Sequence, residues 1–278
     1  MNVSRMNKNA DKIRMIKRTC VIIGILAVFT GIFFAGKAFF SPAKGVAKVE
    51  QTLQLATELP VQGLGKSAPQ EYNGQVRKVA YLTFDDGPSK LLPKFLEVLK
   101  KHDAKGTFFF VGGNLAKKDL APYVKQTVEE GHYAGAHSMT HKYGKLYNQN
   151  EFVDEMKEAL KMIDEITGKN PKLVRPPYGS TPGLHEQLRN ETAEAGIKVW
   201  DWTIDSNDWR LKGNPQGIVE QVMKGADENV EVILLHEHQQ SLDALEPIII
   251  QLKEKGYELV AYDEKAHFPV NFWKDERL

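Results

Sequence analysis

The residues best able to do chemistry in this chain stand at the ends of short apolar runs. Asp85 and Asp86 close the run Val79-Ala-Tyr-Leu-Thr-Phe84 and are followed at once by Gly87 and Pro88. A β-prone run stopped by a Gly-Pro turn predicts a strand over 79–84 with both carboxylates at its C-terminal rim. In α/β proteins that rim is where ligands bind. Two adjacent negative charges are unfavourable unless a cation or an arginine shares them. His137 and His141 stand four apart, a spacing that aligns two imidazoles on one face of a helical turn. With Asp86 they make a set of two histidines and one carboxylate, of the kind that holds catalytic zinc and leaves a position open for water. The single cysteine, Cys20, excludes an internal disulfide and a cysteine-ligated zinc, so any metal site must be built from histidine and carboxylate.

Further groups follow the same pattern. Arg175-Pro-Pro-Tyr178-Gly179 is a rigid corner in which neither proline has an N–H. The first amide able to face a cleft is therefore that of Tyr178, a candidate oxyanion donor. Asp205 and Asp208 lie beside Trp209, whose indole could present a flat wall to a sugar ring while an aspartate holds a histidine. His236 closes the apolar run Val232-Ile-Leu234-Leu235 and is a candidate general acid. His102, His132, His185 and His267 have no such setting and read as surface residues. No G-x-S-x-G elbow surrounds Ser138 or Ser180, which argues against a serine hydrolase.

The elements that must bring these residues together alternate from residue 76 onward. Strands are predicted at 79–84, 107–111, 133–137, 172–175, 198–204, 232–235 and 258–262. Helices are predicted at 89–102, 120–130, 150–167, 184–195, 215–226 and 241–255, several of them ended by glycine. This is an α/β pattern with a parallel sheet, and without a GxGxxG or GxxxxGK[ST] loop a nucleotide-binding sheet is disfavoured. The expected fold is a distorted (β/α) barrel of about seven parallel strands, one short of the usual eight, with a gap or distortion as a result.

Ahead of the barrel, residues 1–18 form a basic tail, and Thr19–Gly36, extending to Phe40 if Lys37 snorkels, is apolar over about the length of a bilayer core. The expectation is a transmembrane signal anchor at 19–40, with the basic side in the cytoplasm, an extracellular linker at 41–75 and a catalytic domain at 76–270. Secretion after cleavage is the alternative, disfavoured by a poor cleavage site. Of the 278 residues, 42% are hydrophobic and 26% charged, and the net charge of +1 gives no sign of nucleic acid as a partner.

Residues 76–265 resemble the polysaccharide deacetylases of the NodB-homology type, carbohydrate esterase family four. Five motifs carry the resemblance in order: Thr83-Phe-Asp-Asp-Gly-Pro88, His137-Ser-Met-Thr-His141, Arg175-Pro-Pro-Tyr-Gly179, Asp205-Ser-Asn-Asp208-Trp209 and Leu234-Leu-His236. The family's fifth motif commonly reads His-Asp, whereas Glu237 follows His236 here. The resemblance implies one divalent metal, zinc foremost with cobalt, nickel or manganese as alternatives, held by Asp86, His137 and His141. It implies Asp85 as general base, oriented by Arg175, and His236 as general acid, tuned by Asp208 rather than Asp205. It implies that metal and the Tyr178 amide hold the oxyanion and that Leu234 and Trp209 line an acetyl pocket.

Resemblance and topology together imply a monomeric cell-wall enzyme that removes acetyl groups from N-acetylglucosamine of peptidoglycan. Rivals in the same class are N-acetylmuramic acid, chitin-type oligomers, an N-acetylglucosamine exopolysaccharide and O-acetyl xylan. Rivals outside it are an inert wall-binding module and a membrane scaffold acting through residues 41–75. Retention of Asp85, the metal set and His236 argues against the inert module.

Overall fold

The run after Lys78 forms a strand that does not stop where the sequence predicts. In the computed structural model, which describes residues 71–72 and 75–278, it spans Lys78–Gly87 and includes both aspartates. Before it, β1 (Glu71–Tyr72) pairs antiparallel with β2 (Gln75–Val76), and this long strand is β3. There follow α1 (Leu92–Lys101), β4 (Gly106–Phe110), α2 (Gly112–Leu115), α3 (Ala121–Glu129), β5 (Tyr133–Ala136) and α4 (Phe152–Thr167). The chain continues through β6 (Leu173–Val174), α5 (Glu186–Glu194), β7 (Lys198–Val199), β8 (Ile204–Asp205), α6 (Pro215–Gly225), β9 (Val230–His236), α7 (Gln239–Glu254) and β10 (Tyr257–Leu259). The expected tail and anchor, and the linker up to residue 70, lie outside the described residues. Among the described residues no helix is long and apolar enough to cross a membrane.

The eight-stranded main sheet runs β7-β6-β5-β4-β3-β9-β8, with β10 paired to the start of β3, and every pairing in it is parallel. It is a curled, open barrel. The opening comes from the predicted strand 198–204, which is two short strands, β7 pairing with β6 and β8 with β9. Between them Trp200 bridges to Val270 and the Asp201 N–H donates to the Val270 carbonyl, so the C-terminal segment lies along this seam.

Side chains alternate along β3 and define two packed layers. Ala80, Leu82 and Phe84 join the layer between sheet and helices, with Leu92, Phe95, Leu96 and Leu99 of α1 as the predicted apolar face. The Phe84 ring lies 4.8 Å from that of Phe108 and 5.2 Å from that of Phe95. Val79 and Tyr81 point to the barrel interior, against Phe109, Trp200, Val232, Tyr262 and Phe268. The same alternation carries Thr83 and Asp85 inward. Gly168, at φ 66°, ends α4 in the left-handed region where a Cβ would be strained.

Because Phe95 is fully buried in the outer layer, Phe95→Ala should lower unfolding stability by about 3–5 kcal/mol. Urea titration followed by tryptophan fluorescence measures this, and a loss below about 1 kcal/mol would contradict the packing described.

Candidate active site

In a regular strand Asp85 and Asp86 would face opposite sides of the sheet. They do not, because the pairing of β3 with β4 shifts register between Phe84 and Gly87 and Asp86 adopts φ 69°. The Asn114 side chain holds this turn by donating to the Asp86 carbonyl at 2.8 Å. As a result Asp85 Oδ2 and Asp86 Oδ1 each lie 3.7 Å from His137 Nε2, and Asp86 Oδ1 lies 3.6 Å from His141 Nε2.

The two histidines do not sit on a helical turn as their spacing predicts. They flank a loop after β5 in which Ser138 and His141 have left-handed backbone, φ 64° and 53°. Glu155 of α4 shapes that loop by accepting from Met139 N, Thr140 N and Thr140 Oγ1 at 3.1, 2.9 and 2.8 Å. The Ser138 hydroxyl accepts from His141 N at 2.9 Å. His137 Nδ1 lies 2.8 Å from the Arg175 carbonyl, which can only accept. Nδ1 therefore carries the proton and Nε2 presents its lone pair toward the carboxylates. Burial holds His137 below the usual imidazole range, against the raising effect of Asp85 and Asp86, which favours the neutral ligand form.

Asp86, His137 and His141 thus offer ligand atoms that all lie within 4.8 Å of one another. Tetrahedral bonds of about 2.0–2.1 Å place ligand atoms roughly 3.4 Å apart, so the observed 3.6–3.7 Å spacings fit a small divalent cation. Asp85 also reaches His137 with one oxygen, and its other oxygen is engaged by Arg175. Arg175 Nη1 donates to Asp85 Oδ1 at 2.9 Å and to Thr83 Oγ1 at 2.6 Å, while Nε and Nη2 donate to the carbonyls of Trp200 and Asp201.

Beside Asp85, His236 occupies the register-paired position on β9. Asp208 Oδ1 lies 2.7 Å from His236 Nδ1, and Oδ2 accepts from His236 N and Ser241 Oγ at 2.7 and 2.5 Å. Asp205 instead accepts from Asn207 N within its own turn. Burial pulls the His236 imidazolium down, but the hydrogen bond and charge of Asp208, with the charges of Asp85 and Asp86, outweigh it and push His236 up to about 9. Tyr178 has φ 68°, its ring lies 4.8 Å from His141, and its N–H donates to no acceptor among the described residues. Leu234 is buried on β9 and Trp209 is half exposed at the rim.

All ten candidate residues therefore lie on one rim, at the C-terminal ends of the strands or in the loops that follow. A cavity of about 930 Å³ opens at the other end, among Asp103, Lys105, Tyr133 and the residues after Tyr257, and none of the candidates lines it. His132 is no surface residue: it is buried, accepts from Gly106 N, and burial pushes it down to about 4. Three residues that hold the site have no role assigned from the sequence: Thr83, which opens the first motif, Glu155 and Ser241. Glu155 had a signal, a carboxylate within the apolar face formed by Phe152, Met156 and Ala159 of the predicted helix.

A family model described as polysaccharide deacetylase matches residues 73–200. The chain is 51% identical, over 98% of its length and 100% of the other's, to a peptidoglycan-N-acetylglucosamine deacetylase of Bacillus cereus. It is 33% identical to the peptidoglycan-N-acetylmuramic acid deacetylase PdaC of Bacillus subtilis, over 68% of this chain and 38% of that one. The crystal structure of the polysaccharide deacetylase Bc1974 from Bacillus cereus superposes with a TM-score of 0.70 at 54% identity, covering 73% of this chain and 100% of that one.

Since Glu155 fixes the loop that carries both histidines, Glu155→Ala should weaken the affinity for Zn²⁺ by roughly 10–100-fold, with Glu155→Gln losing less. Competition with a fluorescent chelator reads this directly, and unchanged affinity in Glu155→Ala would refute the positioning role.

Proposed function

This chain belongs to the polysaccharide deacetylase family, and from that premise we propose that it hydrolyses the N-acetyl group of N-acetylglucosamine in peptidoglycan. The observation that carries the reading is the convergence of two opposed sets on one rim. Asp85, fixed by Arg175, faces the ligand atoms of Asp86, His137 and His141, and His236, paired to Asp208, closes the next strand. Asp86, His137 and His141 would hold one divalent cation, zinc in preference to magnesium or calcium because two of the three ligands are imidazoles. When bound, such a cation supplies Lewis acidity toward the acetyl carbonyl and lowers the pKa of water.

The protein's own groups account for the remaining demands of amide hydrolysis. Asp85 takes the proton of the attacking water, since Arg175 keeps one of its oxygens occupied and the other free on the side of the cluster. The Tyr178 N–H is available to the tetrahedral oxyanion, and Leu234 and Trp209 enclose the acetyl group. His236, kept protonated by Asp208, gives its proton to the departing amine. The product is a glucosamine whose amine is largely protonated near neutral pH.

Substrate and location rest on other support. The relative that matches over its full length is named for N-acetylglucosamine of peptidoglycan. The basic tail and apolar run before residue 41 support a single-pass anchor with the catalytic domain outside the cell, where that glycan lies.

Acetate release by the purified protein should be greatest on peptidoglycan, lower on chitooligosaccharides and absent on acetylxylan, and should stop with chelator. Asp85→Asn should lower kcat by about 10²–10⁴-fold while zinc stays bound, whereas His137→Ala loses both. An Asp85→Asn variant with full turnover would remove the base assignment. The pH profile tests the acid. Its active form is the imidazolium, so a raised His236 extends activity upward until the proton is lost near 9. Asp208→Asn removes the charge that raises it and should move the alkaline limb of kcat/KM down by about one to two pH units. An unmoved limb would assign the acid elsewhere.

A further inference from the structure

One histidine of this rim is used by nothing in the reaction above. His238 lies two residues beyond His236, past a bend at Glu237, and its N–H donates back to the His236 carbonyl at 2.7 Å, a tight turn that keeps the two residues together. Their rings stack, with centroids 5.4 Å apart and planes 12° from parallel. His238 Nδ1 is shielded from solvent and has no hydrogen-bond partner. A dry, unpaired ring nitrogen beside a carboxylate is an unmet ligand, because buried polar atoms are otherwise almost always bonded. The carboxylate is Asp208. The ligand atoms of Asp208, His236 and His238 all lie within 4.8 Å of one another.

We propose that Asp208, His236 and His238 form a second cation site that takes Zn²⁺ or a similar nitrogen-seeking divalent metal once the first site is full, and that filling it stops the enzyme. Two imidazoles and a carboxylate suit zinc, cobalt or nickel and not magnesium or calcium. Binding is weaker than at the first site for a structural reason. Asp208 Oδ2 is already committed to His236 N and Ser241 Oγ, and Oδ1 must release His236 Nδ1 before a cation can enter between them. The proton on that nitrogen leaves to solvent and the metal takes its lone pair. Inhibition follows because His236 then loses the ion pair with Asp208 that keeps it an acid, a consequence that rests on the role proposed above for His236. Excess zinc would thus act on the acid half of the site and leave Asp85 and the first three ligands untouched.

The full-length protein, stripped of metal and titrated with zinc chloride alone, decides the matter by equilibrium dialysis with elemental analysis, read without substrate. The count should pass one equivalent and reach two, the second weaker by roughly tenfold or more. Acetate release should rise over the first equivalent and fall over the second. His238→Ala should keep the first equivalent and its turnover, lose the second, and resist excess zinc. His238→Phe, which retains a stacked ring without a ligand nitrogen, should behave in the same way. Saturation at one equivalent in the unaltered protein, or a second equivalent that persists in both variants, would overturn the site. Because the zinc count needs no turnover, an absence of acetate release at one equivalent would refute the deacetylase reading separately.

Discussion

A single buried guanidinium organises this barrel. Arg175 is fully buried, and a charge taken out of water costs several kcal/mol unless it is paired and its hydrogen-bond donors are satisfied. Asp85 supplies the charge, Thr83 and two backbone carbonyls supply the acceptors, and the ring of Phe109 covers the plane at 4.3 Å. The two carbonyls belong to Trp200 and Asp201, the residues at which the predicted strand 198–204 comes apart. Turning them toward the barrel interior removes them from any sheet ladder. The seam in the barrel and the orientation of the base are thus two consequences of one solvation requirement.

A second constraint is the conformation of the rim. Of the eight described residues other than glycine with positive φ, five belong to the site's rim: Asp86 at the irregular end of β3, and Ser138, His141, Tyr178 and Asn207 in the loops. Each such conformation costs on the order of 1–3 kcal/mol and persists only where the surroundings enforce it. Here the enforcement is visible: Asn114 holds the Asp86 carbonyl, Ser138 holds the His141 amide, and the Tyr178 hydroxyl donates to the His141 carbonyl at 2.9 Å. These turns make carboxylates that are adjacent in sequence, and imidazoles four residues apart, converge without any helix.

That origin explains what the sequence could and could not reveal. The strand and helix alternation was legible because apolar periodicity records burial, and burial decides these elements: the apolar face of α1 and the run to Leu235 lie where the pattern puts them. The convergence of Asp85, His137, Arg175, Asp208 and His236 on one rim was legible because each follows such a run. The breaking of 198–204 was not, since its cause is a hydrogen-bonding demand from Arg175, some 25 residues earlier. The spacing at 137–141 predicts a helical turn and the structure has a loop, because a spacing of four has two structural origins and only the contact with Glu155 separates them. The burial of His132 has no local mark in the sequence, because its environment is set by Gly106, a tertiary neighbour.

Glu237, where the family pattern commonly has aspartate, is accommodated by the same close packing. Its backbone N–H donates to the Asp85 carbonyl and its Oε2 accepts from Ser89 N at 2.8 Å, so it ties the end of β9 to the turn that follows the acidic pair. Burial pushes its carboxyl up to about 7, against the lowering effect of that bond to Ser89. The longer side chain needs room, and Gly87 provides it: a Cβ on Gly87 would fall 1.8 Å from Glu237 Oε1. Gly87 has no positive φ, so its small size and not its backbone freedom is what this position requires. A turn signal that in sequence appears only to stop a strand is, in the fold, the space into which the residue beside the acid packs. Gly87 and Glu237 are therefore a pair, and a side chain at 87 would displace Glu237 and with it the strand end that positions His236 against Asp85.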